Sequence, residues 1–198
     1  MTRLLVYSAA LVGFLASTSM IIASIVLPQW VSYTITTSAG ETLTKTIGLH
    51  KSCSSLADPP CRPFPYHDLC QSDERYFCSM WRSVGFMATL SVILCLACLV
   101  AFTVVMSGGK YKRETGWPFV TAMLSLVAIV QFVVIAIVAY LYDHDNQFTV
   151  PGWHLDISWI LSTVSATICA LAAVGLAASA YMLPQEDGYD FLEDPLDS

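Results

Sequence analysis

The chain has 198 residues, of which 56% are hydrophobic and only 12% are charged. Soluble domains usually carry about 25% charged residues, so this composition excludes an ordinary water-soluble domain and favours a membrane protein. The formal net charge of −6 comes from residues 184–198, which hold six acids and no base, so it gives no indication of nucleic-acid binding.

Four stretches without Asp, Glu, Lys, Arg or His are long enough to cross a membrane as α-helices. A span of roughly 30 Å of hydrocarbon takes about 20 apolar residues, whose backbone groups must be satisfied within the segment. The predicted helices cover residues 4–27, 84–106, 118–142 and 157–183. The first could be a cleaved signal peptide, but its apolar run exceeds the usual length of about 7–15 residues, which favours retention.

The fold class predicted from these spans is an all-α membrane protein, a left-handed four-transmembrane helix bundle. Lys110, Lys112 and Arg113 lie between the second and third helices, and basic loops stay on the cytoplasmic side. Both termini are then cytoplasmic, and the outer loops are 28–83 and 143–156. This topology predicts a multi-pass protein, most naturally of the plasma membrane.

The acidic tail, 184–198, is predicted to be cytoplasmic and disordered because its acidic charge is not balanced by any base. It contains one short candidate motif, from Tyr189 to Leu192 (YDFL). This four-residue pattern has the form that sorting adaptors bind as an extended strand, so an adaptor is a candidate partner of the tail.

The first outer loop predicts a β-hairpin. The segments from Val31 (VSYTITT) and from Thr42 (TLTKTIGL) are rich in β-branched residues and flank a turn sequence, SAGE. A hairpin alone is marginally stable in water, so it needs a brace.

Four cysteines can supply this brace, because they follow the hairpin on the side that meets the oxidising secretory pathway. They are Cys53, Cys61, Cys70 and Cys78, and four cysteines permit three pairings. Cys53–Cys61 with Cys70–Cys78 is one pairing, and Cys53–Cys78 with Cys61–Cys70 is another. A zinc site is the alternative, but zinc sites usually contain closer cysteine pairs than these. Two disulfides in a small extracellular β-sheet are therefore predicted.

The sequence shows no catalytic, cofactor-binding or metal-binding pattern, and we interpret the protein as non-enzymatic. A membrane enzyme or ion pump normally needs ionisable residues inside the bundle, whereas Gln131 is the one long polar side chain in the predicted helices. Gln131 is predicted to form a hydrogen bond between helices. Cys95, Cys98 and Cys169 are interpreted as small packing residues.

The outer-loop motif resembles that of the claudins. Their first loop carries the signature W…GLW-x-x-C…C, and the matching positions here are Trp30, Gly48, Leu49, Cys53 and Cys61. The resemblance to the claudin and peripheral myelin protein tetraspan superfamily extends over roughly residues 4–182. Claudins also carry an arginine where the first loop enters the second helix, and Arg82 matches it.

Three features depart from the claudin pattern. His50 stands at the second tryptophan position, Cys70 and Cys78 are additional, and the C-terminal DPLDS lacks the hydrophobic last residue that binds PDZ domains. The chain is more similar to a divergent branch, such as the claudin-like tetraspan proteins of fungi, than to a tight-junction strand protein.

The resemblance implies that Gly48 and Leu49 end a strand that folds back onto the membrane, and that Trp30 and Leu49 pack between sheet and helix tips. It implies membrane organisation, adhesion or cell-surface integrity through lateral and outer-face contacts, with homo-oligomers or other membrane proteins as partners within the lipid bilayer. The second outer loop, which holds Phe148 and a Pro-Gly turn, either contacts partners, as in claudins, or is simply anchored at Trp153. The alternative functions are an auxiliary subunit of a channel, transporter or synthase and, less favoured, an ion pore.

Overall fold

The computed structural model describes residues 3–36, 40, 42–71 and 75–182. Most of this part is helical, in the elements α1 (Arg3–Val26), α2 (His67–Gln71), α3 (Arg75–Ser107), α4 (Gly109–His144) and α5 (Ile157–Met182), with a 3₁₀ turn at Asn146–Phe148. Four of these helices, α1, α3, α4 and α5, are long and apolar enough to cross a membrane. Their length and composition are those of an integral membrane protein, as the sequence predicts.

Two of the long helices extend well beyond the predicted spans 84–106 and 118–142. Helix α3 begins at Arg75 and α4 begins at Gly109, so only Gly108 separates the two. The 33 residues of α3 measure about 50 Å at 1.5 Å per residue, which exceeds the roughly 30 Å of hydrocarbon. The apolar pattern therefore located the part that is apolar enough to span a membrane, and the more polar ends continue the same helices.

A five-stranded antiparallel sheet follows α1 and is completed by a strand just before α5; we call this end of the bundle the sheet end. The strands are β1 (Val31–Thr36), β2 (Thr42–Ile47), β3 (Lys51–Ser54), β4 (Cys61–Pro63) and β5 (Trp153–Leu155). Their order across the sheet is β4-β3-β2-β1-β5. The predicted hairpin is confirmed as β1 and β2, which pair from Val31↔Ile47 to Thr36↔Thr42.

The fifth strand was not predicted from the sequence. It comes from the loop between α4 and α5 and pairs with β1, with Tyr33 opposite Trp153. The two loops at the sheet end therefore form one sheet, and β1 lies between strands from both of them.

The buried side chains form two clusters, one in the bundle and one at the sheet end. The bundle cluster includes Phe14 and Phe102, whose ring centroids are 5.8 Å apart. The sheet-end cluster includes Trp30 and Trp81, both almost fully buried. Ile25, near the end of α1, packs against both clusters and so joins them.

A buried polar contact links α1 to α5 within the bundle. The hydroxyl oxygens of Ser17 and Ser165 are 2.7 Å apart, and Cys169 Sγ lies 3.0 Å from Ser17 Oγ. Cys95 and Cys98 are buried in the same apolar cluster as Cys169, and all three are free thiols. Their positions agree with the packing role predicted for them.

Gln131, by contrast, does not form the predicted hydrogen bond between helices. Its side chain is only 2% exposed in α4, and neither Oε1 nor Nε2 has a hydrogen-bond partner among the described residues. An unpaired buried amide is unfavourable by about 1–3 kcal/mol.

We therefore expect Gln131→Met to raise the free energy of unfolding by about 1 kcal/mol, because the thioether fills a similar volume without an unpaired amide. The measurement is the unfolding midpoint in detergent. Gln71→Met, on an exposed residue of α2, is the matched control and should change little. A loss of stability in the Gln131 variant would show that the amide has a partner after all.

Candidate interaction face at the sheet end

Trp30 connects α1, the sheet and the start of α5. Its side chain is fully buried, and its Nε1 donates a hydrogen bond to the carbonyl oxygen of Ser24 at 2.7 Å. Its backbone nitrogen donates to the Ile47 carbonyl at 2.9 Å, and its own carbonyl accepts from the Asp156 nitrogen at 3.1 Å. The residue is thus held through its ring and its backbone by three different segments.

Gly48 lies where the chain turns from β2 into β3, directly against the segment that follows α1. A Cβ atom at this position would stand 2.5 Å from Pro28 Cα, which leaves no room for a side chain. Its backbone nitrogen donates to the Lys51 carbonyl at 2.8 Å, and Trp81 Nε1 donates to the Gly48 carbonyl at 3.3 Å. Glycine is required here because two backbone segments approach closely.

Leu49 belongs to the same buried cluster as Trp30 and is 2% exposed. The packing that the resemblance implies for these two residues is therefore present. His50, at the position of the second tryptophan in the claudin signature, is exposed, and its ring lies close to Gly85 of α3.

The four predicted cysteines form two disulfides, Cys53–Cys61 and Cys70–Cys78. The first joins directly opposed residues of β3 and β4, and the second joins α2 to α3. This is the sequential pairing, one of those that the sequence left open. Because all four sulfurs are bonded in pairs, none is left as a thiolate to bind zinc.

Removing the first disulfide with the double variant Cys53→Ser and Cys61→Ser should lower the free energy of unfolding by roughly 2.5 kcal/mol. This value follows from the chain entropy of a closed loop with a sequence separation of 8. Denaturant titration in detergent measures it, with the oxidised wild-type protein as the comparison. A double variant as stable as the oxidised wild type would contradict the bracing role of this bond.

Asp156 links β1 to the beginning of α5 and was not predicted from the sequence as a site residue. One carboxylate oxygen accepts a hydrogen bond from the Ser32 hydroxyl of β1. The other accepts from the Ile157 backbone nitrogen at 2.7 Å, at the beginning of α5. An acidic residue immediately before an apolar helical stretch is a helix-capping signal, and this signal could have identified it.

The loop between α4 and α5 is anchored to the sheet end by aromatic packing. Phe148 is 7% exposed, and its ring lies 5.3 Å from that of Trp153 and 6.1 Å from that of Phe77. Tyr33 of β1 packs on Trp153 from the sheet, with ring centroids 5.0 Å apart. Phe148 therefore serves as an anchor of this loop, and a contact role for the loop stays a prediction.

Exposed apolar side chains at the sheet end are instead contributed by other positions. Leu56, in the turn between β3 and β4, is 76% exposed, and Val150, just before β5, is 53% exposed. Ile35 of β1 is 37% exposed. These three residues, which we call the apolar contact residues, are candidates for meeting a partner.

Arg82 lies on α3 with an exposed side chain, and its Nη2 atom is 3.9 Å from Cys70 Sγ. It is therefore next to the second disulfide and apart from the buried Trp30 cluster. The candidate sorting motif at Tyr189 and Leu192 lies outside the described residues, so its prediction stays a prediction.

No protein-family model matches the chain, and comparison with curated proteins gives no match. The resemblance to claudins therefore rests on the motif residues themselves and on the surroundings described above.

Proposed function

We propose that this chain is a non-enzymatic, claudin-like integral membrane protein that organises membranes or mediates adhesion through outer-face and lateral protein contacts. The observation that carries the proposal is the braced sheet. It draws strands from both loops, contains one disulfide, and is fixed to the helices by Trp30 and Leu49. A rigid surface of this kind loses little conformational freedom on binding, which suits recognition between protein copies.

The distribution of cysteines and basic residues supports a plasma-membrane orientation with the sheet end outside the cell. Both disulfides lie at the sheet end, and disulfides persist in oxidising compartments. Lys110, Lys112 and Arg113 occur at the opposite end of α3, near the start of α4. Basic residues next to spans remain cytoplasmic. Two unrelated rules thus give the same orientation, with both termini inside.

The first test is purification in mild detergent from the native membrane, followed by mass spectrometry of co-purifying proteins and determination of the oligomer mass. Self-association is expected. Leu56→Asp should weaken it, because a charge at an apolar contact is unfavourable. Thr42→Asp, an equally charged change at an exposed position of β2, is the matched control. A monomer with no co-purifying protein would contradict the proposal.

Adhesion is tested separately by reconstitution into vesicles with the sheet end outward. Vesicles that carry the protein should cluster, and clustering should be lost after reduction of the disulfides. Dispersed vesicles together with intact self-association would restrict the function to organisation within one membrane.

A second candidate function, an auxiliary subunit of a larger membrane protein, is favoured by a groove between α1 and α5. Small residues such as Ala9, Gly13, Ala172 and Gly175 contribute to this apolar groove, whose volume is about 420 Å³. Small side chains allow close approach of another transmembrane helix. This candidate would be favoured over self-association if a larger protein co-purified in a fixed ratio and no longer did so with the Gly175→Leu variant.

A further inference from the structure

A second groove, on the outer part of α3, combines cationic and apolar side chains. It has a volume of about 590 Å³, and its lining includes Arg75, Arg82, Phe86 and Ile137, next to the Cys70–Cys78 disulfide. Arg75 and Arg82 are seven residues apart, which is close to two helical turns, so both project from one side of α3. The disulfide fixes α2 beside this side of the helix.

Neither guanidinium is neutralised within the part of the chain that the structure describes. Both side chains are exposed, and the contact of Arg82 with Cys70 Sγ is a weak one to an uncharged sulfur. Asp73 and Glu74 precede Arg75 in the sequence but lie outside the described residues, so Arg82 is the better-defined cation. The groove thus offers positive charge to an anion.

The same side of α3 continues as an apolar surface below the arginines. Phe86 is 69% exposed, Ile93 59% and Val100 62%, and these three residues recur every seven positions. Exposed side chains of this kind on a membrane-spanning helix face lipid tails. Cationic groups therefore stand directly above a surface suited to acyl chains.

The depth of Arg82 matches that of lipid headgroups. Counting about 20 residues back from the end of α3 at Ser107 places the hydrocarbon boundary near Ala88. Arg82 is then about 9 Å beyond that boundary along the helix, and its long side chain can reach back toward the headgroup layer. Arginine binds phosphate oxygens through two parallel hydrogen bonds, which makes it suited to a phosphate at this level.

From this arrangement we infer that the groove is a binding site for a phospholipid, with the headgroup phosphate on Arg82 and an acyl chain along Phe86 and Ile137. Arg75 lies farther from the hydrocarbon and contributes only long-range attraction to the anion. The inference requires that the four helices lie in a membrane, and it does not depend on adhesion or self-association. A failure of the vesicle-clustering test would therefore leave it unaffected.

The test is native mass spectrometry of the full chain in detergent, titrated with three lipids that carry the same acyl chains. They are phosphatidylglycerol, phosphatidylcholine and diacylglycerol, which has no phosphate. Phosphatidylglycerol should be retained most and diacylglycerol least. Arg82→Gln should weaken phosphatidylglycerol binding about tenfold, the effect of losing one charge-assisted contact. Arg82→Lys should recover part of it, and Arg75→Gln should have a smaller effect.

Arg62→Gln is the matched control, because Arg62 is an exposed arginine of β4 outside the groove. If Arg62→Gln weakened phosphatidylglycerol binding as much as Arg82→Gln, the effect would be general charge attraction, and the proposed site would be refuted. Equal retention of diacylglycerol and phosphatidylglycerol would overturn it without any variant. Displacement of phosphatidylglycerol by an equal concentration of inorganic phosphate would assign the groove to free anions rather than to a lipid.

Discussion

Trp30→Ala should lower the free energy of unfolding by about 3–5 kcal/mol, the range for removing a large buried aromatic side chain. The loss combines the apolar contacts of a fully buried ring with the hydrogen bond from Nε1 to the Ser24 carbonyl. It should unfold the sheet end first, because Trp30 joins α1 to the sheet. The measurements are denaturant titration in detergent and hydrogen exchange of the backbone amides of β1 and β2.

Two further variants make this prediction specific. Trp30→Phe keeps most of the ring and should lose clearly less stability than the alanine variant. Leu56→Ala truncates an apolar side chain that is 76% exposed and should change stability by less than about 0.5 kcal/mol. A Trp30→Ala protein with wild-type exchange in β1 would show that the tryptophan does not hold the sheet to the bundle.

Gly48→Ala should cost about 3 kcal/mol, at the upper end for overpacking, because the added methyl group would meet backbone on two sides. It would stand 2.5 Å from Pro28 Cα and 3.1 Å from the Lys51 carbonyl oxygen, and neither is the end of a flexible side chain. The change should also expose Trp81, whose Nε1 donates to the Gly48 carbonyl, and a red shift in tryptophan fluorescence would report this.

Gly175→Ala is the control for this variant, since a Cβ atom there would meet nothing within 4 Å. It makes the same chemical change in α5 and should cause no loss of stability. Equal stability of the Gly48 and Gly175 variants would refute the close-approach explanation for Gly48.

The apolar helices were predictable because a membrane span needs apolar side chains along its whole length, which gives a continuous pattern in the sequence. The ends were not, because the residues that continue α3 back to Arg75 are more polar and do not share the apolar pattern of a span. The hairpin of β1 and β2 was predictable for a similar local reason, since β-branched residues flank a short turn. The left-handed twist predicted for the bundle remains a prediction.

The residues of the candidate site were predicted where they belong to a sequence motif. They were missed where the site is formed by segments that are distant in sequence. Trp30, Gly48 and Leu49 came from the resemblance, and the structure buries the two side chains and encloses the glycine. The pairing of Cys53 with Cys61 could not be decided, because spacing alone does not say which strands lie side by side. β5 has only three residues and pairs with a strand far away in sequence, so no local pattern indicated it.

The position of β5 also bears on the order in which the molecule is made. Tyr33 of β1 cannot pair with Trp153 of β5 until Trp153 has been synthesised. Trp153 follows 120 residues later, or roughly 6–24 s at ordinary rates of synthesis. Until then one edge of β1 has no strand beside it, and the Trp30 carbonyl lacks the Asp156 nitrogen. Pairing of β5 with β1 therefore takes place only when synthesis has reached the last helix. An unpaired edge of β1 distinguishes an unfinished molecule from a finished one.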